Sequence, residues 1–369
     1  MTANVELVDV TKQFGNGLVA VDKARLSVAA GEVVCLLGPS GCGKTTTLRM
    51  IAGLEHATSG DILIGGQRVN PLPARARNVA MTFQFYALYP SLTVEENLAY
   101  PLYAERLSKT DIAARVKRVS AVLDLDGVLH RLPYQLGEGE KQRVAVGRSI
   151  IREPTCFLFD EPLSRLDIQL RQSMRTQIIE VLSKLDKPAV IVTHDQIEAL
   201  TMADRIAVMN FGKIEQVASP HSLFAQPANV FVAGFIGTPQ MNLIKAVLGG
   251  VDAPAADGTV RAKFRLLGEE ITAPVKAKVA ELARDCAVTI GIRPRSFEFV
   301  GPEMANALHA KVDILEPMGA ELLAHLVEGD TDMRCVVPHT TKLRVGQRIG
   351  LRCKPGQLHV FDANGILVE

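Results

Sequence analysis

Residues Gly38-Pro39-Ser40-Gly41-Cys42-Gly43-Lys44-Thr45 fit the spacing G-x-x-x-x-G-K-[ST], between an apolar run, VVCLL, and a helical pattern, TTLRMIAGL. Glycines at these places let backbone N–H groups converge on phosphate oxygens, and the helix start adds the positive end of its dipole. Lys44 then reaches the outer phosphates, Thr45 offers a hydroxyl to Mg²⁺, and Thr46 continues the loop into the helix. Farther on, the run CFLFDE reads as a buried strand delivering Asp160 and Glu161 at its C-terminal end. Two adjacent acids there are costly unless used. Asp160 suits a Mg²⁺ ligand, and Glu161 suits the polarising of a water that attacks a γ-phosphate. His194 ends the next strand-like run, IVTHDQ, and Gln84 follows another in MTFQFYALYP. Either alone reads as an ordinary surface or core residue; at strand ends beside the acids, both become candidate site residues.

Positioning these groups takes a parallel sheet. From 4 to 235 the chain alternates β-rich apolar runs (GEVVCLLG, CFLFDEP, AVIVTHD, RIAVMNFG) with helical patterns, which predicts an α/β nucleotide-binding domain. Within Ile168–Leu185, Met174, Ile178, Val181, Leu182 and Leu185 recur at helical spacing and read as core packing. From 236 to 369 the texture changes to short β-branched runs broken by Gly, Pro and Asp, among them VRAKFRLLG, AVTIGIRP and LHAKVDILEPMG. These predict a second, all-β domain of barrel type, OB-like, with the junction in the Pro- and Gly-containing segment Gln226–Asn242.

The 369 residues suit two domains, and 47% hydrophobic against 22% charged residues is the balance of a folded protein. Lys plus Arg number 41 against 40 Asp plus Glu, so no positive excess is available for a nucleic-acid backbone, and nucleic acid is excluded as a partner. No run approaches the ~20 apolar residues of a spanning helix. The first residues lack the pattern of a secretory signal, which predicts a cytoplasmic chain. The six cysteines form no CxxC pair and read as free thiols.

The ensemble resembles one family: the nucleotide-binding subunits of ABC transporters, of the maltose-importer type that energises carbohydrate uptake. The resemblance rests on LLGPSGCGKTTTLRMIAGLE, FQFYALYPSLTVEENLAYPL, EKQRVAVGRSIIREPTCFLFDEPLSRLD, IVTHDQIEALTMADRIAVMNFGKIEQ and FIGTPQMNL, in that order. It implies an ATPase using ATP and Mg²⁺, with Gln84 contacting Mg²⁺ and the attacking water, His194 contacting the γ-phosphate, and Ser164 to Asp167 forming the D-loop. Phe14 looks like the aromatic that stacks on adenine, against ordinary packing as the competing reading. The stretch Phe85 to Leu102 looks like the groove that accepts a helix of two transmembrane permease subunits, on the cytoplasmic face of the membrane, in a complex with an extracytoplasmic solute-binding protein. The C-terminal domain resembles the regulatory and dimerisation barrels of this importer type.

One stretch departs from the family. Members carry Leu-Ser-Gly-Gly-Gln where this chain has Leu136-Gly137-Glu138-Gly139-Glu140. In the family that loop caps the γ-phosphate held by the opposite subunit. Gly137 has no hydroxyl, and like charges a few Å apart repel by about 1 kcal/mol in water and more at lower dielectric. Either Glu138 and Glu140 turn aside and pair with Lys141 or Arg143, or, as favoured, this chain pairs with a second, different ATPase subunit. By subfamily analogy the solute is a carbohydrate, polyol, glycerol or glycerol phosphate, with polyamine, iron or sulfate as alternatives. A non-transport ABC ATPase, the reading from another class, would bring a second cassette or a long coiled coil.

Overall fold

The computed structural model describes residues 3–82, 86–105, 107–164, 166–253 and 259–368. Its packing divides the chain into Met1–Pro220 and His221–Glu369.

In the first unit, β1 (Ala3–Gln13) and β2 (Val19–Ala29) alternate apolar and polar residues, so Val21, Ala24, Leu26 and Val28 turn inward. The strand β3 (Val33–Leu37) has all five residues buried, as a strand covered on both faces must, and leads into α1 (Lys44–Ala52). Next come β4 (Ser59–Ile64), β5 (Gln67–Arg68), β6 (Val79–Thr82), α2 (Val94–Ala99), α3 (Lys109–Val122) and α4 (Glu138–Ile150). The unit continues through β7 (Cys156–Asp160), α5 (Ile168–Leu185), β8 (Ala189–Thr193), α6 (Gln196–Met202), β9 (Arg205–Asn210) and β10 (Lys213–Ala218).

The expected parallel sheet is present, and a second sheet accompanies it. The order β10-β9-β3-β8-β7-β6 is parallel except for the edge strand β10. A second sheet, β2-β1-β4-β5, is antiparallel throughout, which the alternation in β1 and β2 foreshadows. Because β3, β8 and β7 are neighbours running the same way, the loops at their C-terminal ends converge. Helix α1 packs against β7 and β8. The helices α2, α3 and α4 share a core through Val94, Leu98, Val116, Val119 and Val144, which continues into the α5 stripe of Met174, Ile178, Val181 and Leu182.

The second unit, from His221, takes in all but the first residue of α7 (Pro220–Ala225) and the whole of α8 (Val230–Phe235), and so starts earlier than the boundary expected at residue 235. The reason is local: the buried Arg293 guanidinium donates to the carbonyls of Phe224 at 2.9 Å, Ala233 at 3.4 Å and Ile236, tying the ends of both helices to the β domain. Strands β11 (Asn242–Val251), β12 (Thr259–Leu266), β13 (Glu269–Lys276), β14 (Ala287–Ile292), β15 (Phe297–Val300) and β16 (Leu308–Met318) follow. The chain closes with β17 (Glu321–Glu328), β18 (Thr331–Pro338), β19 (Arg348–Cys353) and β20 (Leu358–Phe361). They form two antiparallel five-stranded sheets, β13-β12-β11-β14-β20 and β15-β19-β16-β17-β18. In each, the two edge strands approach one another, so both sheets curl. Among the described residues, no helix is long and apolar enough to cross a membrane.

Candidate active site

The loop after β3 is shaped by close approach. A Cβ on Gly38 would lie 2.3 Å from the Met209 carbonyl oxygen, and one on Gly43 would lie 2.3 Å from that of Ala20. Gly41 and Gly43 also take φ of +79° and +105°, a region that side chains rarely adopt. The turn places Pro39, Ser40 and Gly41 at the surface and sends Cys42 inward, 4% exposed, where burial pushes its thiol above the usual range. Gly43 is the residue before α1, so Lys44, Thr45 and Thr46 form its first turn, where free N–H groups and the positive dipole end favour an anion. Lys44 is buried, and its ammonium donates to the carbonyls of Gly38 at 2.8 Å and Pro39 at 2.9 Å. The lysine thus caps its own loop and is poised beside the place where phosphates would lie.

Two neighbouring strand ends supply the rest. Thr45 Oγ1 donates to Asp160 Oδ1 at 3.2 Å, joining the helix start to the end of β7. Burial raises the Asp160 carboxyl above its ordinary range, against the pull of the Thr45 bond, and the charge of Glu161 adds to the rise. Glu161 takes φ of +48°, and its N–H donates to the Val192 carbonyl at 2.9 Å, which aims its carboxylate toward the end of β8. There His194 Nδ1 lies 3.1 Å from Glu161 Oε1. Asp160, Glu161, His194 and the phosphate loop are therefore one constellation. Gln84 lies outside the described residues. Phe14 stands in the β1–β2 turn, 37% exposed, with the Lys12 ammonium 4.9 Å from its ring centroid. That exposure leaves a ring face for a planar base.

The donor set fits a magnesium ion. Thr45 and Asp160 present hard oxygens 3.2 Å apart, the character Mg²⁺ prefers, and the raised proton affinity of the buried Asp160 is what a divalent cation would relieve. No cluster of three His, Cys, Asp or Glu suited to a metal occurs among the described residues, so phosphate oxygens and water would complete the shell.

Residues 21–164 match the ABC transporter family, and residues 290–361 match the TOBE domain. The chain is 44% identical to the sn-glycerol-3-phosphate import ATP-binding protein UgpC of Chromohalobacter salexigens, over 99% of this chain and 96% of that protein. The chain belongs to the ATP-binding subunits of ABC transporters. The UgpC of Cereibacter sphaeroides is 43% identical over 98% of each chain. Among solved structures, the ATP-binding cassette MJ0796, a dimer in a post-hydrolysis state with ADP and Pi, aligns with a TM-score of 0.53 and 29% identity, covering 58% of this chain and 98% of that one. The cassette is thus an ATP-binding transport ATPase with a C-terminal TOBE domain.

The altered signature stands at the start of α4. The Gly137 N–H donates to Glu140 Oε2 at 2.8 Å, half of a capping box, and glycine has no hydroxyl to return the bond. Glu138 pairs with Lys141 Nζ at 2.8 Å and accepts from the Tyr86 hydroxyl at 2.8 Å. Glu140 faces Arg131 at 4.0 Å rather than Arg143. Gly139 packs so closely that a Cβ there would meet Leu170 at 2.7 Å. The acids are turned into intrachain contacts, while the missing hydroxyl has no substitute at Gly137.

Sequence reasoning overlooked Tyr86 and the polar side chains around His194, namely Arg171, Asp195 and Glu198. The signal was present for two of them: an Asp directly after His194, with a Glu three residues later, is the pattern of a helix start.

Proposed function

We propose that this cassette binds ATP with Mg²⁺ and hydrolyses it at Glu161 to energise import of a glycerol-phosphate-like or carbohydrate solute. The observation that carries the chemistry is the convergence of Thr45–Asp160 and Glu161–His194 at adjacent strand ends above the phosphate loop. Backbone amides of Ser40 to Thr46 and the Lys44 ammonium hold the phosphates, with Phe14 against the base. Bound Mg²⁺, held by Thr45 and Asp160 with Gln84, would neutralise charge on the outer phosphate oxygens. Glu161 accepts a proton from the attacking water, and His194 holds the Glu161 carboxylate in place and reaches the γ-phosphate. Replacing Glu161 by Gln should leave ATP binding intact while turnover falls by ~10²–10⁴. Unchanged hydrolysis would remove Glu161 from this role.

The solute class rests on the relatives named for sn-glycerol-3-phosphate import. Loss of glycerol phosphate uptake in a strain lacking this chain tests it; loss of maltose, polyamine, iron or sulfate uptake instead would redirect it. Two permease subunits dock at the aromatic surface after Gln84, an arrangement supported by Tyr100 and Tyr103, 46% and 61% exposed, beside Tyr89. An adjoining cavity of about 220 Å³ is lined by Ala80, Tyr86, Ala87, Pro101 and Arg148. This docking places the cassette on the cytoplasmic face, with a solute-binding protein on the other side.

The nucleotide is completed by the signature of a second cassette. Gly137 offers no hydroxyl to a partner's γ-phosphate, and Glu138 keeps a carboxylate 51% exposed there, which favours a heterodimer with one strong and one weak site. The Glu138–Lys141 pair favours the other reading, a homodimer in which the backbone suffices.

A further inference from the structure

The turn Thr193-His194-Asp195 that carries the switch histidine is held by polar groups outside the nucleotide site, of which Thr193 and Glu198 are buried. Thr193 Oγ1 donates to Glu198 Oε2 at 2.7 Å and accepts from the Asp195 N–H at 3.0 Å. Asp195 Oδ1 accepts from the N–H groups of Ile197 at 2.7 Å and Glu198 at 3.2 Å, capping α6. Its other oxygen accepts from Arg171 Nη1 at 3.1 Å. The same guanidinium donates through Nη2 to the Leu166 carbonyl at 3.1 Å and lies 3.7 Å from Glu198 Oε1 through Nε.

Leu166 belongs to the turn that follows Glu161. Its N–H donates to the Leu163 carbonyl at 3.2 Å, and Ser164 Oγ donates to the Glu161 carbonyl at 3.2 Å. The contacts therefore close into a ring: Glu161 to the D-loop, the D-loop to Arg171, Arg171 to Asp195, and His194, next to Asp195, back to Glu161 at 3.1 Å. Arg171 bonds both loops directly, through Leu166 on one side and Asp195 on the other.

We propose that Arg171 is a positioning residue that fixes the D-loop and the switch-histidine turn relative to each other, and so sets the geometry of Glu161 and His194. The planar guanidinium suits this because it can hold a carbonyl and a carboxylate at once in a fixed fork, which an ammonium cannot. Displacement of a reacting group by about 1 Å costs on the order of 10² in rate without requiring any loss of substrate affinity. A merely structural Arg171, there to neutralise Glu198, would instead affect stability and leave the rate per folded molecule unchanged. The proposal rests on the assignment of Glu161 and His194 above.

The test measures ATP affinity and single-turnover hydrolysis on the full-length chain in its transporter complex. Arg171→Met is expected to slow hydrolysis roughly 10–100-fold with ATP affinity within about twofold of the parent, and Arg171→Lys to recover part of the rate. Asp195→Asn keeps a good helix cap but removes the charged partner, so it should reproduce the slow step even if Arg171→Met fails to fold. Combined with Arg171→Lys it should add little, since both changes cut the same link. An unchanged rate in Asp195→Asn, losses that multiply in the double variant, or ATP affinity falling in parallel with rate would overturn the proposal. Glu161→Gln separates the two ideas: if it abolishes turnover while the Arg171 and Asp195 variants do not slow it, only the positioning role falls; if it hydrolyses normally, the assignment of Glu161 falls.

Discussion

Three glycines of the phosphate loop separate two causes of intolerance, backbone conformation and close approach. Gly41→Ala faces only the first: φ is +79°, but a Cβ there meets nothing within 4 Å. Its cost is the left-handed penalty of about 1–2 kcal/mol. Gly38→Ala faces only the second, with a Cβ 2.3 Å from the Met209 oxygen and 2.7 Å from Cys42 Sγ. Overpacking of that kind costs about 1–3 kcal/mol. Gly43→Ala suffers both, at φ +105° and 2.3 Å from the Ala20 oxygen, for a sum of about 2–5 kcal/mol. At roughly 2–4 °C per kcal/mol for a unit of this size, Tm should fall by roughly 2–8 °C for Gly41→Ala and roughly 4–20 °C for Gly43→Ala. Gly43 also immediately precedes Lys44 and Thr45, so pushing it off Ala20 displaces both, and ATP affinity should drop ~10–100-fold, the value of one charge-assisted hydrogen bond. Thermal melts and titration with a fluorescent ATP analogue read both effects. Equal losses at Gly41 and Gly43, or a neutral Gly43→Ala, would refute the reasoning.

Other outcomes follow from buried charge. Burial raises the Glu198 carboxyl above its usual range. The folded state therefore holds its proton more tightly than the unfolded chain, and the stability this lends is complete at low pH and lost as pH rises through the folded-state value. The Tm of Glu198→Gln relative to the parent should accordingly climb as pH rises from about 4.5; a pH-independent difference would mean that Arg171 and Thr193 fully offset the burial. Arg293 stacks on Phe224 at 3.9 Å and is pulled down to about 10 by burial while serving three helix-end carbonyls. Arg293→Met should destabilise the second unit by about 3–5 kcal/mol, seen as an earlier melt, with ATP affinity unchanged. Weakened ATP binding would contradict a role confined to that unit. Tyr103→Glu should weaken co-purification with permease subunits while the uncoupled ATPase rate stays within about twofold, since the side chain is remote in sequence from the phosphate loop and exposed.

Much of the site was legible because its chemistry is local. The phosphate loop needs glycines and a lysine in one short run, and the acids of β7 and the histidine of β8 are announced by apolar strands that end on them. The parallel order itself was not readable: β8 lies between β3 and β7, although β7 precedes it in the chain. The antiparallel sheet of β1, β2, β4 and β5 was not read from the sequence, although β2 shows period-two burial. The domain boundary moved because what holds α7 and α8 to the β domain is Arg293, nearly sixty residues later than Ile236, and pairings of that range leave no mark on local composition. For the same reason Arg171 left no signal in the sequence, since its partners come from two other loops.

The most direct test of an intact nucleotide face joined to a defective signature is the ATPase rate of the chain alone, before and after Gly137→Ser, Glu138→Gly and Glu140→Gln restore the family pattern. The chain alone should hydrolyse slowly, the restored variant at least ~10-fold faster, and a mixture of the parent with a cassette of normal signature should recover activity that depends on Glu161 of this chain. Full activity of the unaltered chain by itself, with no gain on restoration, would contradict the account.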